Sequence, residues 1–204
     1  MSKVVLWDYP KSSASYRVRI GLNLAGVDYR IEQVDLLEKE HKRPDHISRN
    51  PQGFVPVLDI DGQRFTQSLA ILDYLDATHG LSLLPDDPIK RAKAQALAYI
   101  IAIDLHPVCN LSVTGHATGG QDPACTNWMR HFIAPALAAF ETTLERFEQA
   151  PFTTGESLGL ADICLIPQLY NANRWCVDYS QCDRIRSVEA VCQALPAFRQ
   201  AAPQ

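Results

Sequence analysis

The chain reads as a small α/β unit followed by an all-helical domain. Three observations lead there. The first 80 residues alternate strand-like and helix-like runs in the order β-α-β and then β-β-α. Two prolines, Pro85 and Pro88, interrupt the chain within "LSLLPDDP" (81–88). Beyond that stretch only helical periodicity is found. The expected domains are therefore 1–81 and 88–204.

The elements follow in order. "KVVLW" (3–7) is a β-branched run and reads as a strand. Residues 13–25 read as a helix, with Val18, Leu22 and Ala25 near helical spacing and Gly26 as the stop. "DYRIEQVDL" (28–36) is strand-like. "LEKEHKRPDHISRN" is polar and broken by Pro44, so it reads as a loop with at most one helical turn. "VPVLDI" (55–60), the turn "DG" (61–62) and "QRFTQ" (63–67) form a hairpin. "SLAILDYLDATHG" (68–80) is an amphipathic helix that begins at Ser68 and stops at Gly80. In the second half, residues 89–105, 128–149, 161–175 and 187–200 carry helical periodicity. The glycine-rich "VTGHATGGQDPACT" (113–126) reads as a flexible insert.

Composition narrows the function. The chain has 204 residues, 47% of them hydrophobic, and a formal net charge of −4. Nothing in that balance suggests the basic stripe of a nucleic-acid binder. No apolar run approaches the ~20 residues that span a bilayer, so no membrane partner is expected. The N-terminus has no signal pattern. The cysteines, at 109, 125, 164, 176, 182 and 192, form no CxxC and no zinc-like cluster. They are expected to be reduced, buried thiols of a cytoplasmic protein, with no metal.

Two helix N-termini in the first domain carry serine. A helix N-terminus offers unpaired N–H groups and about half a positive charge. Near Ser12 and Ser13 these suit a thiolate, but position 14 is alanine, so the thiolate must come from a ligand. Near Gln67 and Ser68 they suit a carboxylate. Val55-Pro56 opens a strand, and a cis-proline there would present the Val55 backbone to a peptide-like ligand. An extended acidic thiol peptide fits all three segments. Plain N-caps and an ordinary strand entry fit the same residues.

Read together, "SSASYRVRIGLNLAGVDY", "NPQGFVPVLDIDG", "QSLAILDYL" and "ADICLIPQLYNANRW" resemble the zeta class of glutathione transferases, the maleylacetoacetate and maleylpyruvate isomerase family. The resemblance runs from about residue 4 to 200. "DLHPVCNLS" (104–112) is similar to the first long helix of that family's helical domain. The resemblance implies a thioredoxin-like N-terminal domain with a mixed sheet, an all-α C-terminal domain and a homodimer.

It also implies roles. Ser12 would hydrogen-bond the glutathione sulfur, with Ser13 beside it. Val55 would pair with the cysteinyl part, next to a cis-Pro56. Gln67 and Ser68 would hold the γ-glutamyl end, and His41 the glycyl end. His106, Asn110 and Ser112 would approach glutathione from the helical domain. Arg174 would bind a substrate carboxylate, with Lys11 and Arg17 also toward the substrate; Arg19 is expected to be structural or at a dimer edge. The implied activity is a cis-trans isomerisation of a maleyl diacid, in which glutathione serves as a cofactor and is returned. A general or α-haloacid-processing transferase and a non-catalytic glutathione-binding domain are the other readings.

Three departures stand out. Ala14 occupies a position that is commonly cysteine in the family. Lys11 stands where arginine is frequent, and a lysine is a point charge rather than a fork. Gly159 replaces the usual hydroxyl N-cap before "LAD", where Asp162 is expected to accept backbone N–H groups and to matter for folding more than for catalysis.

Overall fold

The computed structural model describes residues 4–203. Lys3, expected to open the first strand, lies outside them. Two compact units are present: residues 1–81 with 196–204, and residues 82–195.

The first unit is built on a four-stranded mixed sheet in the order β2-β1-β3-β4, formed by β1 (Val5–Asp8), β2 (Arg30–Gln33), β3 (Val57–Ile60) and β4 (Gln63–Thr66). β1 pairs with β2 in parallel and with β3 antiparallel. The parallel pair requires a crossover, and α1 (Ser13–Leu24) supplies it. A helix α3 (Ser68–His79) follows β4. Leu6 of β1, Leu58 and Ile60 of β3, Val18 and Leu22 of α1, and Ile71 and Leu75 of α3 form one core. The close approach of α1 and α3 depends on Gly21. A Cβ on it would lie 2.5 Å from Leu72 Cδ2.

β2 is shorter than the expected 28–36 run. It is an edge strand with three of its four residues exposed, which explains its weak alternation. The segment read as a loop around Pro44 holds a 3₁₀ turn, Glu40–Lys42, and the short helix α2 (Pro44–Arg49). Pro44 takes the first helical position, where its missing N–H costs nothing, so it starts a helix instead of breaking one.

In the second unit, α4 (Pro88–Tyr99) runs into a π-helical segment, Ile100–Leu105, and then α5 (His106–Val108). Pro107 has no N–H, and its ring would crowd the carbonyl of Ile103 in a regular helix; the wider turn relieves that conflict. The 113–126 insert is largely ordered. α6 (Leu111–Thr118) spans its first part and ends at Gly119 in the left-handed region, while α7 (Ala124–Leu144) begins in its last part. α8 (Leu160–Arg174) is the central helix, buried along most of its length and packed on α4, α7 and the π-helical segment.

The expected helix over 187–200 is two helices, α9 (Asp183–Ala194) and α10 (Pro196–Ala201). Leu195 is extended, φ −79° and ψ 132°. A residue preceding proline is driven out of the helical region. α10 groups with the first unit, so residues 196–204 depart from the expected 88–204 domain. Among the described residues no single helix is long and apolar enough to cross a membrane.

Candidate active site

Strand register brings the expected ligand-binding segments of the first unit together. Trp7 of β1 pairs with Val57 of β3, and Val57 pairs with Thr66 of β4. Three chain segments therefore meet at one end of the sheet. The chain leaves β1 toward Ser12, enters β3 from Val55-Pro56, and leaves β4 into Gln67-Ser68. Asp8 pairs with Gln33, so the chain leaves β2 at the same end, toward His41.

Ser12 is the N-cap of α1; its Oγ accepts the Ser15 N–H at 3.2 Å, and its own N–H donates to the Tyr9 carbonyl at 2.9 Å. The cap does not compete with a ligand role. A serine hydroxyl that accepts still has a proton to donate, and the helix N–H it accepts polarises it toward donation. Ser13 opens the helix, Ala14 is buried behind it, and Lys11 is exposed just ahead. Arg17 is buried, 3% exposed. Arg19 is structural: it is buried and bound to the Asp8 carboxylate.

The Val55-Pro56 peptide is cis, with Pro56 buried. Gln67 has φ 67° and ψ 110°, a backbone region that a non-glycine residue rarely occupies, and its side chain is exposed. Such outliers are held where the surroundings over-determine them, which is common at ligand sites. Ser68 is buried at the first turn of α3. His41 is half-buried in the 3₁₀ turn. Burial, then the positive Lys42 and the neighbouring His46, hold its pKa below the ordinary value, so it is neutral at neutral pH.

In the second unit, His106 sits where the π-helical segment becomes α5. Asn110 is the N-cap of α6, without a side-chain cap bond, and Ser112 is exposed on α6. Arg174 ends α8. Its guanidinium lies 6.0 Å from the Tyr170 ring centroid and 5.9 Å from that of Trp175, and it has no acidic partner among the described residues. Two residues of α7 went unread in the sequence. Trp128 Nε1 donates to the Val108 carbonyl at 2.8 Å, and Arg130 Nε donates to the Trp175 carbonyl at 2.8 Å. The end of α5, near His106, and the end of α8, at Arg174, are thus tied to one turn of α7. Trp128 and Arg130 bond backbone carbonyls far away in sequence, which no local pattern announces.

At the start of α8, Asp162 accepts the N–H of Gly159 at 2.8 Å and of Thr153 at 2.9 Å. Gly159 has no hydroxyl to complete a capping box, so the carboxylate serves both sides of the turn. Burial pushes its pKa up to about 6, against the pull of those N–H bonds. Among the described residues no cluster could hold a metal ion.

Comparison with known proteins gives the family. The family "Glutathione S-transferase, N-terminal domain" matches residues 2–77. A maleylacetoacetate isomerase from Rhizobium meliloti (strain 1021) is 50% identical over 206 residues, covering 99% of this chain and 97% of the relative. The holo structure of a maleylpyruvate isomerase, a bacterial zeta-class glutathione S-transferase, aligns with a TM-score of 0.93 at 35% identity, covering 98% of this chain and 96% of the other. A maleylacetoacetate isomerase from Anaeromyxobacter dehalogenans 2CP-1, crystallised with dicarboxyethyl glutathione and citrate in its active site, aligns with a TM-score of 0.86 at 37% identity, covering 98% and 94%. An identity of one half across the full length, with the same fold throughout, leaves one assignment: the chain belongs to the maleylacetoacetate and maleylpyruvate isomerase family of zeta-class glutathione transferases.

Proposed function

We propose that the protein is a glutathione-dependent isomerase that converts a maleyl diacid, maleylacetoacetate or maleylpyruvate, to its fumaryl isomer. The full-length identity to a maleylacetoacetate isomerase carries this reading. Glutathione, when bound, would supply a thiolate nucleophile for reversible attack on the cis double bond, and it would not be consumed.

The chain's own residues do the rest. Ser12 donates its hydroxyl proton toward the sulfur, and the α1 N-terminus at Ser13 adds positive potential, so the thiol ionises at neutral pH. Val55 pairs by its backbone with the cysteinyl part. Gln67 and Ser68 hold the γ-glutamyl carboxylate at the α3 N-terminus, and neutral His41 lies toward the glycyl end. In the helical domain, His106, Asn110 and Ser112 are the residues assigned to glutathione. Arg174, free of any acidic partner among the described residues, grips a substrate carboxylate, with Lys11 and Arg17 as further cations. In this reading residues 1–81 bind glutathione and the helical residues from 88 onward bind the substrate. Six unpaired cysteines suit the reducing cytoplasm. The assembly is a homodimer, checked by light scattering of the purified protein.

The test is the cis-to-trans absorbance change of maleylpyruvate, and separately of maleylacetone, at substoichiometric glutathione. Turnover beyond the glutathione present supports isomerisation, and the ratio of the two rates assigns the substrate tail. Stoichiometric loss of glutathione would instead identify a conjugating transferase.

A further inference from the structure

The turn Asn50–Phe54 touches both expected glutathione-binding segments of the sheet unit. Phe54 immediately precedes Val55. Its carbonyl lies 3.0 Å from His46 Nε2 and 2.9 Å from Asn50 Nδ2. A carbonyl can only accept, so His46 carries its proton on Nε2. Its Nδ1 has no partner, which leaves this bond to orient the ring. His46 and Asn50 are 1% and 3% exposed, so water is poorly placed to replace either donor. The two donors occupy both lone pairs of the carbonyl. The Phe54 C=O and the Val55 N–H share one planar peptide, so fixing the carbonyl aims the Val55 N–H.

The rest of the turn is held as firmly. Asn50 Oδ1 accepts the Gln52 N–H at 3.1 Å, and the Asn50 carbonyl accepts the Gly53 N–H at 2.8 Å. Gly53 has φ 63°, and a Cβ on it would lie 2.8 Å from the His41 carbonyl oxygen. Lys42 Nζ reaches the carbonyls of Gln52 and Gly53 at 3.4 and 3.5 Å. At its far side the turn meets α3: Gln67 Nε2 donates to Gln52 Oε1 at 2.7 Å, and Gln67 is the residue with the unusual backbone.

We propose that His46 and Asn50 are positioning residues for glutathione, which through the Phe54 carbonyl set the Val55 peptide, and that Gln52 joins the same turn to Gln67, so that one turn aligns the cysteinyl and γ-glutamyl contacts. The inference rests on reading Val55 and Gln67 as glutathione contacts. None of these three residues meets the reacting atoms. Their loss should therefore weaken glutathione binding and spare turnover once glutathione is saturating.

The experiment measures glutathione affinity by titration calorimetry, kcat at saturating glutathione, and the urea midpoint, for the native protein and four variants. His46→Phe removes the donor at similar volume, and Asn50→Asp removes the other donor while keeping the acceptor toward Gln52. Each is expected to raise the glutathione Kd about tenfold, the size of one lost buried hydrogen bond, with kcat within about twofold. His46→Gln, which restores an N–H, should recover most of the affinity. Gln52→Ala should raise Kd about threefold. If His46→Phe does not fold, Asn50→Asp carries the same comparison. Native-like Kd values in folded His46→Phe or Asn50→Asp overturn the inference and leave the glutathione reading intact. A native protein that does not bind glutathione overturns both.

Discussion

Arg19 Nη1 lies 2.7 Å from both carboxylate oxygens of Asp8, while Nε of the same guanidinium donates to the Ala201 carbonyl at 2.8 Å and Nη2 to the Pro10 carbonyl at 2.9 Å. One buried cation thereby joins the end of β1, the turn that leads to Ser12, and the C-terminal segment that follows α9. Tyr16 and Asn23 of α1 add bonds to the Phe198 and Ala197 carbonyls. This explains why residues 196–204 belong with the sheet unit.

Asp8→Leu should therefore be severe. It strands a buried arginine charge, and breaking such a pair costs about 3–5 kcal/mol. Urea denaturation at pH 7 measures the loss. Glutathione affinity should fall too, because the Pro10 turn before Ser12 loses its anchor. A change in stability below about 1 kcal/mol would show that water or another group replaces the carboxylate.

Ser12→Ala removes a helix cap and a hydrogen bond to an anionic sulfur. The cap is worth about 1 kcal/mol of stability. The bond to a charged group is worth about 1.5–3 kcal/mol, or roughly a 10- to 100-fold loss in kcat/KM at neutral pH. Because the thiol pKa rises, part of the activity should return as pH increases. A pH–rate profile of the variant with its inflection unmoved would contradict the role given to Ser12.

Asp162 predicts a specific pH slope. Its carboxyl titrates near 3.8 when unfolded and is pushed up to about 6 in the folded chain. Between those values the folded state holds a proton that the unfolded state has released. The site's contribution is thus largest below pH 3.8, falls as pH rises to about 6, and is flat above. Relative to Asp162→Asn, the native protein should lose roughly 2–3 kcal/mol of its advantage across this window. Urea denaturation at pH 4.5, 6 and 7.5 reads the slope, and an advantage growing with pH would refute it.

Arg174→Ala should act on the substrate alone. The side chain is exposed and makes no ion pair among the described residues, so the urea midpoint should not move. Losing one charge-assisted carboxylate contact should raise the KM for the maleyl diacid about 10- to 100-fold, with glutathione affinity unchanged. Arg174→Lys should recover only part, because an ammonium lacks the two-pronged geometry. Equal losses for substrate and glutathione would place Arg174 elsewhere in the mechanism.

The expected ligand-binding segments are legible because their signals are local. Ser12 before a helix, Val55-Pro56 before a strand and Gln67-Ser68 before a helix each announce themselves within a few residues. The misread segments have equally local causes. Pro44 reads as a breaker but begins α2, and α6 reads as flexible because its small and polar residues make a weak stripe. The helical pattern over 187–200 runs through Leu195-Pro196, where the proline ends the helix.

The chain alone carried most of its element types, the three expected ligand-binding segments and the family resemblance, because each of these depends on neighbours in sequence. Folding supplied the relations between distant segments. The Trp7–Val57–Thr66 register gathers three loops at one end of the sheet. Arg19 recruits the C-terminus through backbone carbonyls. His46 and Asn50 converge on one oxygen ahead of Val55. Backbone carbonyls are the acceptors in these last two links, and every residue has one. Only the three-dimensional path of the chain determines which carbonyl a buried donor meets.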